Sequence, residues 1–175
     1  LREHFPNKAF AILYRTNSQS RAFEEALRRQ GIDYKIYGGM SFYQRKEVKD
    51  LLAYFRLAAN PNDEESLKRI INYPVRGIGK TTLEKLVVGA AEREISVWDM
   101  IHRAQEVGIS GAIYSKLADF VTMIKSFSVE LEVKNAYDLG HHVASASGLL
   151  KDLYSDRTPE GVARYDNIQE LLNGM

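Results

Sequence analysis

Residues 9–15, Ala-Phe-Ala-Ile-Leu-Tyr-Arg, form a short apolar run, the pattern of a buried strand. Thr16-Asn17-Ser18 comes next, three residues suited to capping a helix. From Gln19 to Gln30, Ala22, Phe23, Ala26 and Leu27 share one helical face, and Gly31 stands where a left-handed cap belongs. Ile32, Tyr34 and Ile36 then alternate with Asp33, Lys35 and Tyr37, the period of a strand. The first 37 residues therefore read as strand–helix–strand, a short β-α-β piece of a parallel α/β sheet. Two strands do not make a stable sheet alone, so this piece calls for neighbours.

Gly38-Gly39 breaks the pattern, and the rest of the chain is helical throughout. Residues 44–59 carry Val48, Leu51, Leu52, Phe55 and Ala59 at helical spacing, and Asn60-Pro61-Asn62-Asp63 is a turn. A short helix over 66–72 presents Leu67, Ile70 and Ile71 and stops at Pro74. Further helices are predicted at 82–93, 96–107, 112–132, 136–154 and 160–172, punctuated by Gly108, Gly111, Gly140, Gly148 and Pro159. The fold class expected is mainly α, a helical domain preceded by a β-α-β piece of an α/β domain. The first residue is not Met and the last helix lacks a clear finish, so a piece of a longer chain is expected.

Composition narrows the chemistry. The chain has 175 residues, 45% hydrophobic and 27% charged, which suits a globular protein with a real core. It has no cysteine, which excludes disulfides, thiolate metal sites and a Cys nucleophile. No apolar run approaches the ~20 residues of a membrane helix, so no membrane partner is expected. The formal charge of +1 conceals an asymmetry. Residues 1–94 hold 17 Lys and Arg against 12 Asp and Glu, a balance of +5; residues 95–175 hold 7 against 11, a balance of −4. A polyanion partner, an interdomain surface and two ordinary solvated surfaces all fit that split.

The loop Arg76-Gly77-Ile78-Gly79 before Lys80-Thr81 is the informative motif. A P-loop needs glycine five residues before the Gly-Lys pair, and this chain has Pro74 there, with no N–H to offer. The predicted helix at 66–72 also stands where a P-loop needs a strand. A tight hairpin between two helices fits better. Gly77 and Gly79 can take positive φ and allow close approach of another backbone. Ile78 can point inward and pin the hairpin. The amides of the loop and of the next helix's first turn would then face a phosphate. Thr81 and Glu84 have capping-box spacing, and Arg76, Lys80 and Lys85 add charge. Gripping a nucleic-acid backbone without reading bases and a plain interhelix turn both remain open on this loop alone.

Four blocks carry a wider resemblance. They are Ala11-Ile-Leu-Tyr-Arg-Thr-Asn-Ser-Gln-Ser-Arg21, Tyr37-Gly-Gly-Met-Ser-Phe-Tyr-Gln-Arg-Lys-Glu-Val-Lys-Asp50, Leu57-Ala-Ala-Asn-Pro-Asn-Asp63 and Arg76-Gly-Ile-Gly-Lys-Thr-Thr-Leu-Glu-Lys85. In order and spacing they resemble the UvrD/PcrA/Rep type of superfamily 1 DNA helicase across about residues 9–90. The later helices match more loosely, ending in Arg164-Tyr-Asp-Asn-Ile-Gln-Glu-Leu171. The resemblance implies that residues 1–37 belong to the second RecA-like motor domain, 2A, and that residues 38–175 form much of the helical 2B domain with its helix-hairpin-helix. It implies a parent enzyme that is an ATP-driven 3′→5′ helicase using ATP and Mg2+. The family's nucleotide-binding motifs lie outside this stretch. The piece itself is then expected to hold no cofactor, metal or catalytic residue, and neither to hydrolyse ATP nor to unwind DNA.

By the same resemblance, Arg15 and Asn17 lie on the single-strand track. A guanidinium for phosphate and an amide for base or sugar suit that role, although Asn17 serves equally as a helix cap. Gly77, Ile78, Gly79 and Thr82 match the family's duplex-backbone loop, with Lys80 and Thr81 between them. Several relatives place a basic residue two positions before the first Gly of this loop. Here it is Val75, so one phosphate contact is expected to be lost or taken up by Lys80. Implied partners are a single-strand/duplex DNA junction, the remaining motor domains, and repair or replication proteins, in the cytoplasm. The alternative is a helical protein–protein or autoinhibitory module with no nucleic-acid binding of its own, for which the acidic C-terminal half speaks.

Other clusters read as structural. Asp138, His141 and His142 invite a metal site, but adjacent histidines on a helix diverge by about 100°. Asp63-Glu64-Glu65 suit the positive end of a helix. Trp98 is expected in the core, and Phe42 and Tyr43 at a packing junction.

Overall fold

In a computed structural model, the protein is described over residues 10–16 and 19–175. Nine α-helices are present among the described residues: α1 (Ser20–Arg29), α2 (Lys46–Ala59), α3 (Glu64–Ile70), α4 (Lys80–Glu92), α5 (Val97–His102), α6 (Gly111–Glu130), α7 (Ala136–Ala146), α8 (Leu149–Ser155) and α9 (Pro159–Asn173). Short 3-10 turns cover Phe42–Gln44 and Ala104–Val107. The fold is mainly α, as the helical periodicity after Gly39 predicts.

The core is built on α2. Val48, Leu51, Tyr54 and Leu57 have no exposed surface, and the helix packs against α3, α6, α7 and α9. Phe120, Ile124 and Phe127 of α6 and Ile168 and Leu172 of α9 complete the centre. Trp98 is buried, in line with its predicted core role. The α4 helix packs on α5 and on the 3-10 turn after it. The acidic start of α3 also behaves as predicted. Asp63 is its N-cap, with Oδ1 accepting from the Ser66 N–H at 3.0 Å and Oδ2 from the Ser66 hydroxyl at 2.7 Å. The single helix expected over 136–154 is two, because Gly148 takes φ +82° and turns the chain between α7 and α8.

Of the β-α-β reading, only the helix is present among the described residues, and no β-strand occurs there. Residues 10–14 and 32–36 run without a regular ladder. Ile32, Tyr34 and Ile36 are half-buried while Asp33 and Lys35 are exposed, so the predicted alternation is present without a sheet. Parallel strands need a partner across a ladder, and none is at hand among these residues.

The burial of α1 is inverted for the same reason. Ala22, Phe23 and Ala26 of its apolar face are exposed, and Ser20, Arg21 and Glu24 of the polar face are buried. That polar face meets the 42–44 turn, Arg45 and α9. Arg45 donates through Nη1 to Asn167 Oδ1 at 2.6 Å and through Nη2 to Ser20 Oγ at 2.9 Å. Asn167 in turn donates to Glu47 Oε1 at 2.6 Å. Arg21 pairs with Glu25 at 2.8 Å and bonds the Glu170 carbonyl, while its guanidinium lies over Phe42. Buried charges persist only when partnered in this way. Phe42 is fully buried here, as expected of a junction residue, and the Tyr43 hydroxyl donates to Glu25 at 2.6 Å.

Glu24 is the acceptor at the centre of the junction. Burial by itself raises its carboxyl, but hydrogen bonds from Ser41, the Phe42 N–H, Ser20 and Tyr34 outweigh it and hold the group below the ordinary range.

Candidate nucleic-acid interface

The chain between α3 and α4 is organised by two side chains. Asn72 Oδ1 accepts from the Arg76 N–H and the Ile78 N–H, both at 3.0 Å. Arg76 reaches back into the protein. Its Nη1 donates to the carbonyls of Ile70 (3.0 Å) and Pro74 (3.2 Å), and its Nη2 to the Tyr54 hydroxyl (2.6 Å) and the Ser147 carbonyl (2.8 Å). The guanidinium also lies near the rings of Tyr54 and Phe120, 5.7 and 5.6 Å from their centroids. Tyr54 hands its own proton to the Tyr73 carbonyl at 2.6 Å. Burial, the main cause, pushes the Tyr54 phenol up despite the nearby guanidinium. Arg76, expected to add charge outside the loop, is thus a clamp inside it, because four acceptors converge where its planar fork can reach them.

Ile78 is buried and pins the loop, as its position between two glycines suggested. The glycines differ from expectation. Gly77 takes φ +75°, the left-handed region that favours glycine. Gly79 sits at φ −75°, ψ 168°, a conformation open to any residue, and is the N-cap of α4. The Thr81/Glu84 capping box does not form. The Gly79 carbonyl receives the Thr82 and Leu83 amides at 3.1 and 3.2 Å, so the helix begins before Thr81 can cap it. Glu84 instead pairs with Lys80 at 3.7 Å, both well exposed.

The resulting corner faces solvent. Gly77, Gly79, Lys80 and Thr81 are exposed, and their N–H groups have no hydrogen-bond partner among the described residues. Thr82 is half-buried and Lys85 exposed. A cation that sequence spacing does not reveal joins them. Lys116, on α6, places its ammonium so close to Gly77 that a Cβ built there would lie 2.5 Å from Nζ. Only helix packing brings residues 77 and 116 together.

The corner does not fit a nucleoside triphosphate. A P-loop wraps the phosphate in successive amides and folds its lysine over them. Here the Ile78 amide is taken by Asn72, and Lys80 extends outward with a side chain 90% exposed.

The expected single-strand residues lie elsewhere. Arg15 is exposed, with its backbone N–H donating to Gln19 Oε1 at 3.0 Å, and Asn17 lies outside the described residues. Arg15 lines an open groove of about 1160 Å³ bounded by residues 10–15, α1 and residues 32–38, which shares no residue with the hairpin. Much of its wall is apolar, including Phe10, Ile12, Leu13, Phe23 and Tyr37. The two adjacent histidines have separate surroundings: His141 packs on Tyr137, and His142 stands 3.5 Å from Glu130 with its ring edge-on to Phe127.

An exposed amide corner flanked by lysines is thus mounted on a helical body. The chain belongs to the UvrD-like helicase C-terminal domain family, whose model matches residues 1–173. Among curated proteins it is 39% identical over 163 residues to the ATP-dependent DNA helicase PcrA of Staphylococcus aureus (strain Mu50 / ATCC 700699). The identity is also 39% over 163 residues to the protein of that name from Bacillus subtilis (strain 168). Each alignment covers 93% of this chain and 22% of the relative, so the chain spans about a fifth of the length of these helicases. No described helix is long and apolar enough to cross a membrane.

Proposed function

We propose that this chain is the part of an ATP-dependent 3′→5′ DNA helicase that holds the duplex ahead of the fork. Residues 1–37 belong to motor domain 2A, where a β-α-β piece completes its sheet against strands supplied by the rest of the protein. The apolar groove beside α1 is the face those strands cover. Residues 38–175 form much of domain 2B. Gly77, Ile78, Gly79, Lys80, Thr81 and Thr82 grip the duplex backbone, with Ile78 anchoring the loop from inside. Arg15 and Asn17 lie on the single-strand track. ATP and Mg2+ are bound by motor segments outside this chain, and the piece alone hydrolyses nothing. Its partners are a single-strand/duplex junction, the remaining motor domains, and repair or replication proteins in the cytoplasm.

One observation carries this reading: four unpartnered amides at a solvent-facing corner, within a chain that matches the helicase family almost end to end. Phosphate contacts of this kind position the protein without reading sequence. The test is fluorescence anisotropy of a labelled fork with the 175-residue chain across a salt series. Binding that weakens steeply with salt and is indifferent to base sequence is the expected result. The same chain should release no phosphate from ATP. Absence of fork binding at low salt would refute the duplex-gripping role.

A protein–protein or autoinhibitory module is the second reading, favoured by the exposed side chains Val129, Val133 and Tyr137 at the α6–α7 turn. Capture of the remaining motor domains by a chain that ignores DNA would select it.

A further inference from the structure

We propose that Lys116 is a duplex-binding residue, whose ammonium takes the phosphodiester that a basic side chain ahead of the glycine loop would otherwise hold. This rests on the duplex-gripping role proposed above and adds to it a residue remote in sequence. Two cationic positions expected at the loop are silent. Position 75 is Val, 83% exposed and uncharged, and Arg76 is turned inward on four acceptors. The charge at the corner is restored from α6.

Lys116 has no ion-pair or hydrogen-bond partner among the described residues, although Asp119 stands exposed one helical turn away on α6. Its ammonium rests against Gly77, whose N–H is also without a partner among those residues. Bringing an ammonium to a corner of unpaired amides does nothing for folding, because all of these groups carry positive potential. The arrangement gains free energy when an anion is shared between them. Gly77 therefore serves twice. It supplies the positive φ of the turn, and without a Cβ it lets Nζ come close to the backbone. The second cation, Lys80, is tethered only loosely to Glu84 on an exposed face. Lys80 and Lys116 approach the loop from two different helices, which suits a strand backbone better than a single small ion.

The test compares the parent chain with Lys116→Ala, Lys116→Arg and Lys80→Ala. Anisotropy is read on two labelled duplexes of unrelated sequence and on a single strand, each over a salt series. Lys116→Ala should weaken both duplexes alike by several-fold and lower the salt slope by about one, the signature of one lost phosphate contact. Lys116→Arg should keep the slope. A thermal melt of each variant shows that the fold is intact. If Lys116→Ala binds duplex with the parent's affinity and slope while Lys80→Ala is weakened, the Lys116 assignment is wrong and the duplex-gripping role stands. A loss confined to the single strand also overturns the assignment. A parent chain that binds no duplex removes both.

Discussion

Replacing Arg76 with Ala separates a structural arginine from a DNA-binding one. The side chain makes four hydrogen bonds to three carbonyls and the Tyr54 hydroxyl, and it packs on Tyr54 and Phe120. A hydrogen bond from a charged donor contributes about 1.5–3 kcal/mol. The four share one guanidinium that is partly solvated, so they do not add. The acceptors left behind are neutral carbonyls, some able to find water. Discounting for both, the loss should be about 3 kcal/mol. For a chain of this size that lowers the melting temperature by about 6–12 °C. Against a total stability of about 5–15 kcal/mol it is a large fraction. Arg76→Lys should recover only part, since an ammonium cannot span four acceptors arranged for a planar fork. The assay is urea denaturation followed by circular dichroism, with fork binding measured at a temperature where the variant remains folded. Stability should fall while the salt slope of binding is unchanged. A variant that melts like the parent but loses about one unit of salt slope would refute the clamp and return Arg76 to the interface.

The two glycines should respond differently. Gly77→Ala forces a side chain to φ +75°, and should cost about 1–3 kcal/mol through the backbone alone, since the exposed Lys116 ammonium can swing aside. Gly79→Ser needs no backbone change and adds a capping hydroxyl, and should stabilise by about 0.5–1 kcal/mol. Equal effects at the two positions in thermal melts would contradict the loop geometry. Glu24 should give the junction an acid-sensitive component. Its carboxyl is held below the ordinary glutamate value of 4.5, so its stabilisation is present above that pH and is lost as pH falls through the folded value. Glu24→Gln should therefore be less stable than the parent at about pH 7, with the gap narrowing on acidification below about pH 4.5. A gap independent of pH in urea titrations would show that Glu24 is not held ionised at the junction.

The helical body could be read from periodicity and local chemistry. The spacing of Val48 and Leu51 marks a face that is fully buried, and the acidic run from Asp63 marks a helix start through groups that need no distant partner, whereas periodicity alone runs α7 and α8 together across Gly148. The loop's inward Ile78 was legible for the same reason: a lone apolar residue between two small exposed ones has one place to go. Packing settled three things that no pattern in the chain announces. Arg76 turns inward because Ser147 and Tyr54, remote in sequence, present acceptors to it. Lys116 reaches Gly77 because α6 packs on α2 beside the loop. The α1 helix buries its polar face because Arg45, Glu170 and Ser41 are there to receive it, while its apolar face is left exposed among the described residues. Periodicity records how a segment divides between apolar and polar. Which distant group meets each side depends on how the helices assemble, and hydrogen-bonding partners far apart in the chain leave no periodic trace.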